Sequence, residues 1–159
     1  MAATVLERVQ QSLAPGEGGS AVSHGVLVLQ SAPGVLPLAQ RLKQEFGFDM
    51  LLDVTAIDWI GQPQRFEVVW HFYSTADHVR VRVKARVTEQ SPVVDSLASL
   101  YNSARYAERE CHEMYGIDFA GNDDLRPILL YEGFQGHPLR KDYPKQQEQP
   151  LVPYREGWQ

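Results

Sequence analysis

Side chains that could bind a metal or transfer protons are concentrated in one stretch, Glu108 to Glu113, which reads Glu-Arg-Glu-Cys-His-Glu. His112 followed by Glu113 resembles the start of the zinc-protease helix, whose second histidine stands four positions after the first. Position 116 is glycine, so the second histidine that would bind zinc is missing. Consecutive residues of a helix point in different directions. We therefore expect no metal site here.

Other residues that could carry catalysis are dispersed along the chain. The sequence has no Gly-x-Ser-x-Gly elbow, phosphate-binding glycine loop or dinucleotide fingerprint. Cys111 is the only cysteine, so the chain by itself forms neither a disulfide nor a cluster held by four thiolates. We expect no catalytic residue, cofactor or metal in this chain. A free-standing hydrolase that uses His112 with a carboxylate is a separate alternative, which predicts a pocket and activity in isolation.

The composition predicts one compact domain, with 159 residues of which 43% are hydrophobic and 22% charged. The net charge of -5 gives no general attraction to nucleic acid or anionic lipid. Glu7 and Arg8 interrupt the amino-terminal region where a signal peptide would be apolar, and no later stretch approaches the roughly 20 apolar residues of a membrane span. We expect a cytosolic chain that other proteins hold at any membrane.

The hydrophobic periodicity predicts an α+β fold, with a mixed or antiparallel sheet and helices packed largely on one face. Turn-length separators between three consecutive strands indicate an antiparallel meander, and Gly47 marks the end of the second helix. The predicted elements are a helix over 4–13, a strand over 25–30, a helix over 36–46, strands over 50–57, 65–73 and 78–87, a helix opened by Ser91 and Pro92, and a helix over 104–115.

The pattern changes after Phe119, where neither period is sustained and half of the chain's prolines fall between Pro127 and Pro153. We predict a globular domain over residues 1–118 and an extended tail over residues 119–159. Ordering costs on the order of 1–2 kcal/mol per residue, so such a tail is either disordered or docked. Its aliphatic and aromatic residues favour docking on a partner.

The helix predicted over 104–115 has two distinct faces. Ala104, Ala107, Cys111 and Met114 follow helical spacing and predict a buried stripe, with the cysteine as a small core residue. Arg109 and Glu113 are four residues apart on another face, where they could form an ion pair.

The stretch from Tyr106 to Pro144 resembles the signature of the 30 kDa subunit family of respiratory complex I, NADH:quinone oxidoreductase, whose bacterial members are called the C subunit. The matching groups occur in the family's order. They are Glu108-Arg109-Glu110, then Met114-Tyr115-Gly116-Ile117 with Phe119, then Asp124-Leu125-Arg126 with Ile128-Leu129, and finally Gly136-His137-Pro138-Leu139-Arg140-Lys141-Asp142-Tyr143-Pro144.

This resemblance implies a non-catalytic subunit of the peripheral arm, on the cytoplasmic side of the cell inner membrane. The subunit would structure the quinone module beside the quinone-site subunit and the terminal iron–sulfur subunit, while FMN, iron–sulfur clusters and quinone belong to partner subunits. The alternative is the equivalent subunit of a related membrane-bound hydrogenase or of a dehydrogenase with another electron donor.

The resemblance also suggests which residues meet other subunits. For the triplet Glu108-Arg109-Glu110 two roles stay open, fixing the start of the tail or meeting a neighbouring subunit. The suspected interface residues are Glu108, Arg109, Glu110, Asp124, Leu125, Arg126, His137, Pro138, Arg140, Lys141, Asp142 and Tyr143.

Overall fold

The computed structural model describes residues 4–13, 21–23, 26–31, 34–146 and 149. The predicted turn near residue 33 and the end of the predicted tail lie outside this range. The described elements, in chain order, are α1 (Val5–Gln11), β1 (Ala21–Ser23), β2 (Val26–Ser31), α2 (Leu36–Gln44), β3 (Met50–Asp58), β4 (Phe66–Ser74), β5 (Val79–Val87), β6 (Val93–Asp95), α3 (Ala104–Tyr115) and β7 (Asp118–Ala120).

The main sheet has the strand order β1-β2-β5-β4-β3. Strands β3, β4 and β5 form the predicted antiparallel meander, which is thereby confirmed. Strand β2 runs parallel to β5 and antiparallel to β1, so the sheet is mixed. The predicted α+β fold class is confirmed.

Alternate residues of β4 and β5 place the core on one face of this sheet. Phe66, Val68, Trp70 and Phe72 of β4 are completely buried, and Val83 of β5 lies opposite Trp70. Helices α1 and α2 add buried side chains to the same core, because their apolar residues recur at helical spacing. Within the described part of the chain, the core takes no side chain from the other face of β4 or β5.

Local signals set the ends of the first two helices. Thr4 and Glu7 form a reciprocal capping box, in which each side chain accepts from the other residue's backbone N–H at 3.3 Å and 2.7 Å. Gly47 follows α2 with a φ of 72°, a left-handed conformation that side chains disfavour.

The helix predicted from Ser91 and Pro92 is wrong. Residues 93–95 form β6, which pairs parallel to β7, and the backbone ladder is extended by bonds from Asp118 to the Pro92 carbonyl at 2.8 Å and from Ser96 to the Ala120 carbonyl at 2.9 Å. Val93 and Val94 are β-branched and favour a strand when a partner is available. Only the turn over 97–101 retains helical hydrogen bonding.

Helix α3 begins and ends where it was predicted, and Gly116 caps it with a φ of 70°. Ala104 and Cys111 are buried in the core and Ala107 packs against it, which confirms three of the four residues of the predicted stripe. The fourth, Met114, is half-buried and lies outside the core. Strand β7 follows, and its Phe119 is also in the core, so the ordered structure continues across the predicted boundary at 118. The division into a domain and a tail stays a prediction.

Among the residues that the structure describes, no helix has the length and apolar character that crossing a bilayer requires.

Candidate subunit interface

The chain from residue 121 to residue 146, here called the carboxyl-terminal segment, contains turns but no helix or strand. It lies on α3 and on the ends of β3 and β4, and three groups of polar side chains hold it there. Irregular backbone of this kind needs side-chain partners, because its own N–H and C=O groups form no ladder.

The first group surrounds Glu108, a fully buried carboxylate of α3. It accepts hydrogen bonds from the Ser96 hydroxyl at 2.7 Å, the Leu97 backbone N–H at 2.7 Å and the Asn122 amide at 2.9 Å. Burial raises the pKa of Glu108, while these three donors oppose the rise. Glu108 thus connects α3, the turn after β6 and the start of the carboxyl-terminal segment.

The second group brackets residues 126–130. Glu113, also buried, accepts from the backbone N–H groups of Ile128, Leu129 and Leu130 at 3.1 Å, 2.9 Å and 2.6 Å. Arg109 donates to the carbonyls of residues 126 and 127 at 2.9 Å and 3.1 Å. The Glu113 carboxylate binds three N–H groups and the Arg109 guanidinium binds two carbonyls. Together they provide hydrogen-bond partners for successive backbone groups of the segment.

The possible ion pair between Arg109 and Glu113 is not formed. Each of the two side chains is directed to the carboxyl-terminal segment, and the carboxylate nearest to Arg109 is that of Asp124, at 3.7 Å. Hydrogen bonds to backbone groups that would otherwise have no partner stabilise the fold more than an exposed ion pair on a helix surface does.

The carboxyl end of α3 supplies further acceptors for the segment. His137 Nδ1 donates to the Glu113 carbonyl at 2.9 Å, Leu139 N–H to the Met114 carbonyl at 3.2 Å, and Arg140 Nε to the Tyr115 carbonyl at 2.6 Å. The last carbonyls of a helix lack intrahelical partners, so these bonds cap α3 from outside. Burial lowers the pKa of His137.

The third group is an ion network around Arg65, a buried residue immediately before β4. Its guanidinium forms paired bonds with Asp58, both at 2.9 Å, and with Asp142, at 2.9 Å and 2.6 Å, and it also reaches Glu89 at 2.6 Å. The Lys141 N–H donates to Asp58 at 2.8 Å. Arg65 lowers the pKa of Asp58 and of Asp142, since one cation between them favours their charged forms.

The suspected interface residues therefore fall into two groups, one whose side chains hold the carboxyl-terminal segment and one at more exposed positions. The side chains of Glu108, Arg109, His137, Arg140 and Asp142 make contacts within the chain that fix the carboxyl-terminal segment. For Glu108 and Arg109 these contacts match the first of the two roles left open above. Among the others, Glu110, Arg126 and Lys141 are exposed, and Asp124, Leu125, Pro138 and Tyr143 are half-buried.

Sequence reasoning missed two kinds of residue. Asp58 and Arg65 bind the segment from positions far away in sequence, and no local motif marks them. Glu113 was considered only within its helix. Among the exposed apolar side chains of the segment, Ile128, Leu129 and Tyr131 had favoured docking on a partner but were not named as interface residues, and Leu139 was not considered for docking. Leu129 is 62% exposed.

A cavity of about 160 Å³ lies between α3 and the segment, and His112 and Glu113 line it together with Tyr131 and Phe134. Glu113 does not pair with His112, because its carboxylate is occupied by three N–H groups. His112 Nδ1 lies 3.0 Å from the Ile117 carbonyl and 3.1 Å from the carboxylate of Asp118, which is exposed and does not line the cavity. The described residues contain no group of three or more possible metal ligands.

Cys111 lies next to this region but on the core side of α3, where it is 2% exposed. Burial, and then the nearby carboxylates, raise the pKa of its thiol. Its packing is that of the small core residue predicted from the sequence.

Comparison with known proteins shows which family this chain matches. The sequence model of the family described as "Respiratory-chain NADH dehydrogenase, 30 Kd subunit" matches residues 29–149, which include most of the sheet, α3 and the carboxyl-terminal segment. The chain belongs to this family. The resemblance seen in the sequence is confirmed.

Relatives in the 30 kDa subunit family are similar over most of their length. The NADH-quinone oxidoreductase C subunit of Citrifermentans bemidjiense is 43% identical over 76% of this chain and 75% of its own length. The protein of the same name from Rhodobacter capsulatus is 42% identical over 82% of this chain and 67% of its own.

Two solved structures have a fold similar to that of this chain. The trypsin-resistant fragment of Nqo5 has a TM-score of 0.62 and 26% identity, and the match covers 76% of this chain and 96% of that fragment. A chain of the archaeal membrane-bound sulfane sulfur reductase has a TM-score of 0.76 over 89% of this chain and 85% of its own, and at 21% identity it shows the fold alone.

Proposed function

We propose that this chain is the C subunit of a proton-translocating NADH:quinone oxidoreductase, complex I, and that it acts without catalytic residues of its own. Its role is to hold other parts of the complex in position. It structures the quinone module of the peripheral arm beside the quinone-site subunit and the terminal iron–sulfur subunit. The observation that carries this proposal is the family match over residues 29–149, because it includes the carboxyl-terminal segment as well as most of the sheet.

The contacts of the segment support a role as a fixed platform. Arg65, Glu108 and Glu113 use their charges inside the chain, so they are satisfied before any partner arrives. The exposed side chains of Ile128, Leu129, Tyr131 and Leu139 then present apolar surface outward from ordered backbone. Exposed apolar groups rimmed by charge are typical of protein–protein interfaces.

The proposal assigns the redox chemistry to partner subunits, which hold FMN, the iron–sulfur clusters and bound quinone. This chain offers a single cysteine, which is buried in its own core. It is peripheral, on the cytoplasmic side of the cell inner membrane, and contacts the membrane only through the complex. The suspected interface residues Glu110, Asp124, Leu125, Arg126, Pro138, Lys141 and Tyr143 belong to the outward surface of this platform.

The test is purification of the tagged chain from gently solubilised native membranes, with mass spectrometry of the proteins that accompany it. We expect the flavin- and NADH-binding subunits together with the quinone-site subunit. A hydrogenase or sulfur-reducing subunit in their place would assign the chain to a related membrane complex. Recovery of the chain alone would refute the proposal.

A paired variant tests the platform surface itself. Leu129→Asp adds a charge at an exposed apolar position, and Gln90→Asp adds the same charge at an exposed position in the loop after β5. We expect the first variant to incorporate into the complex at least about tenfold less than wild type, and the second to incorporate normally. Equal incorporation of the two variants would contradict the assignment of this surface.

A further inference from the structure

A second surface lies on the opposite side of the main sheet from the core, and it is called here the open sheet face. It consists of the outward side chains of β3, β4 and β5. On β5 every second residue turns to this face, and all four of them are cationic. They are Arg80, Arg82, Lys84 and Arg86.

The carboxylates of the face compensate only part of this charge. Glu67 accepts from Lys84 at 2.7 Å and from Arg86 at 3.0 Å. Arg80 lies over the ring of Tyr73, 5.8 Å from its centroid. Arg82 stands opposite His71 in the strand register, and among the described residues it has no carboxylate partner.

The position of Arg82 distinguishes this face from an ordinary solvated one. A solvated face leaves the polar atoms of its long side chains in water, where they need no protein partner. The Nε of Arg82 is buried, and no described residue accepts a hydrogen bond from it. A buried N–H without an acceptor destabilises the free chain, and a carboxylate supplied from outside would remove that penalty once the Arg82 side chain turns its Nε outward.

Apolar groups lie beside the cationic row. Val69, at the centre of the face, is 3% exposed although it is not part of the core, so its neighbours on the face pack over it. Met50, Ile57 and Trp59 are each at least 36% exposed along the β3 side, and Arg86 lies 5.1 Å from the ring centroid of Trp59. The face therefore combines a cationic row with an apolar border, a combination typical of interfaces.

We propose that the open sheet face binds an acidic segment of another subunit of the complex, with two of its carboxylates on Arg80 and Arg82. This inference rests on the function proposed above. Charge complementarity identifies the occupant, since the chain as a whole is acidic at -5 while this face presents four cations against Glu67 and Asp53. Alternate residues of β5 are about 7 Å apart, so the fitting carboxylates lie at alternate positions of an extended segment.

The first test is charge reversal within the assembled complex, purified through a tag on a different subunit. Arg80→Glu with Arg82→Glu should lower the amount of this chain in the complex at least about tenfold, because like charges would face each other. Arg80→Lys with Arg82→Lys keeps the charge and should incorporate to within about twofold of wild type. A control, Arg8→Glu with Gln40→Glu and Gln44→Glu, makes the same change of net charge at exposed positions of α1 and α2 and should incorporate normally.

The second test first identifies the partner with the charge of Arg82 unchanged. A photo-crosslinking amino acid at position 80 should form a crosslink, within the intact complex, to a peptide of another subunit that contains at least two carboxylates. Replacing those carboxylates by lysine should restore incorporation of the Arg80→Glu, Arg82→Glu chain. Crosslinks to lipid, to nucleic acid or to no partner would overturn the inference, as would normal incorporation of the charge-reversed chain.

The two proposals fail in different ways. If the wild-type chain is absent from any complex that contains NADH- and quinone-binding subunits, the proposed function is wrong. If the wild-type chain is present and the charge-reversed chain is present equally, only the role of the open sheet face is wrong.

Discussion

Arg65 is the residue whose replacement tests most directly how the carboxyl-terminal segment is held. Arg65→Leu keeps an apolar side chain beside Phe66, whose ring centroid now lies 5.0 Å from the guanidinium. It removes both bonds to Asp58 and both bonds to Asp142. Asp58 then remains buried, and among the described residues the Lys141 N–H is its one remaining donor.

The expected loss of stability comes mainly from Asp58, whose side chain is 1% exposed. Removing one partner of a buried ion pair costs about 3–5 kcal/mol, because the remaining charge is left without compensation. The side chains of Asp142 and Glu89 are each 48% exposed, so water replaces most of what they lose. We expect Arg65→Leu to lower the free energy of unfolding at pH 7 by about 3 kcal/mol.

The loss depends on pH in a direction that follows from the pKa of Asp58. Arg65 holds this pKa below its ordinary value of 3.8. The stabilisation is therefore present above that value and is lost as the pH falls through the lower pKa of the folded chain. In the variant, burial without the guanidinium raises the pKa of Asp58 instead. The difference between wild type and variant is largest at pH 7 and shrinks toward pH 4.

Urea unfolding of the purified full-length chain measures both effects. Asp58→Asn in the Arg65→Leu background removes the orphaned charge and should recover part of the loss. Arg126→Leu is the matched control, since its guanidinium also pairs with an aspartate but is 81% exposed, and its unfolding should change little. A loss below about 1 kcal/mol for Arg65→Leu, or a loss equal at pH 7 and pH 4, would refute the reasoning.

Three further predictions concern α3. Glu113→Ala removes the acceptor of the N–H groups of 128–130, so limited proteolysis should cut near these residues at least about tenfold faster, while Glu110→Ala, at an exposed position, should leave the rate unchanged. Gly116→Ala should lower the free energy of unfolding by about 1–3 kcal/mol in urea titrations, because a Cβ there would be 2.7 Å from a ring carbon of His137 and the φ is 70°. Cys111 should react with a thiol reagent only after unfolding, and rapid labelling of the native chain would contradict its buried position.

The sequence predicted four of the five strands of the main sheet, all except β1, and also α3, because their patterns agree at every level. On β5 the apolar residues Val81, Val83 and Ala85 alternate with cations, and no helical period fits them. Helix α3 has a glycine at its left-handed end. The segment after Ser91 failed because its two valines lie in a strand whose only described partner, β7, is more than twenty residues later in the chain.

The site was predicted less completely, for a related reason. Family resemblance drew attention to Glu108, Arg109 and Asp142, but the partners of these residues depend on how distant elements meet. Arg65 and Asp142 are 77 positions apart in sequence, and only the folded chain shows that one guanidinium bridges them. Similarly, α3 carries two buried carboxylates that bind parts of the chain on either side of β7.

These contacts alter the energetic argument about assembly. The sequence suggested a tail whose ordering, on the order of 1–2 kcal/mol per residue, a partner would have to offset. The described segment is already ordered by Arg65, Glu108 and Glu113 on its own chain. The free energy gained when exposed groups such as Leu129 contact a partner then contributes to binding and is not used to order the segment. This is the advantage of a preorganised surface. Mutations of the inner carboxylates should therefore weaken assembly without touching the partner, whereas Leu129→Asp should weaken it without loosening the segment.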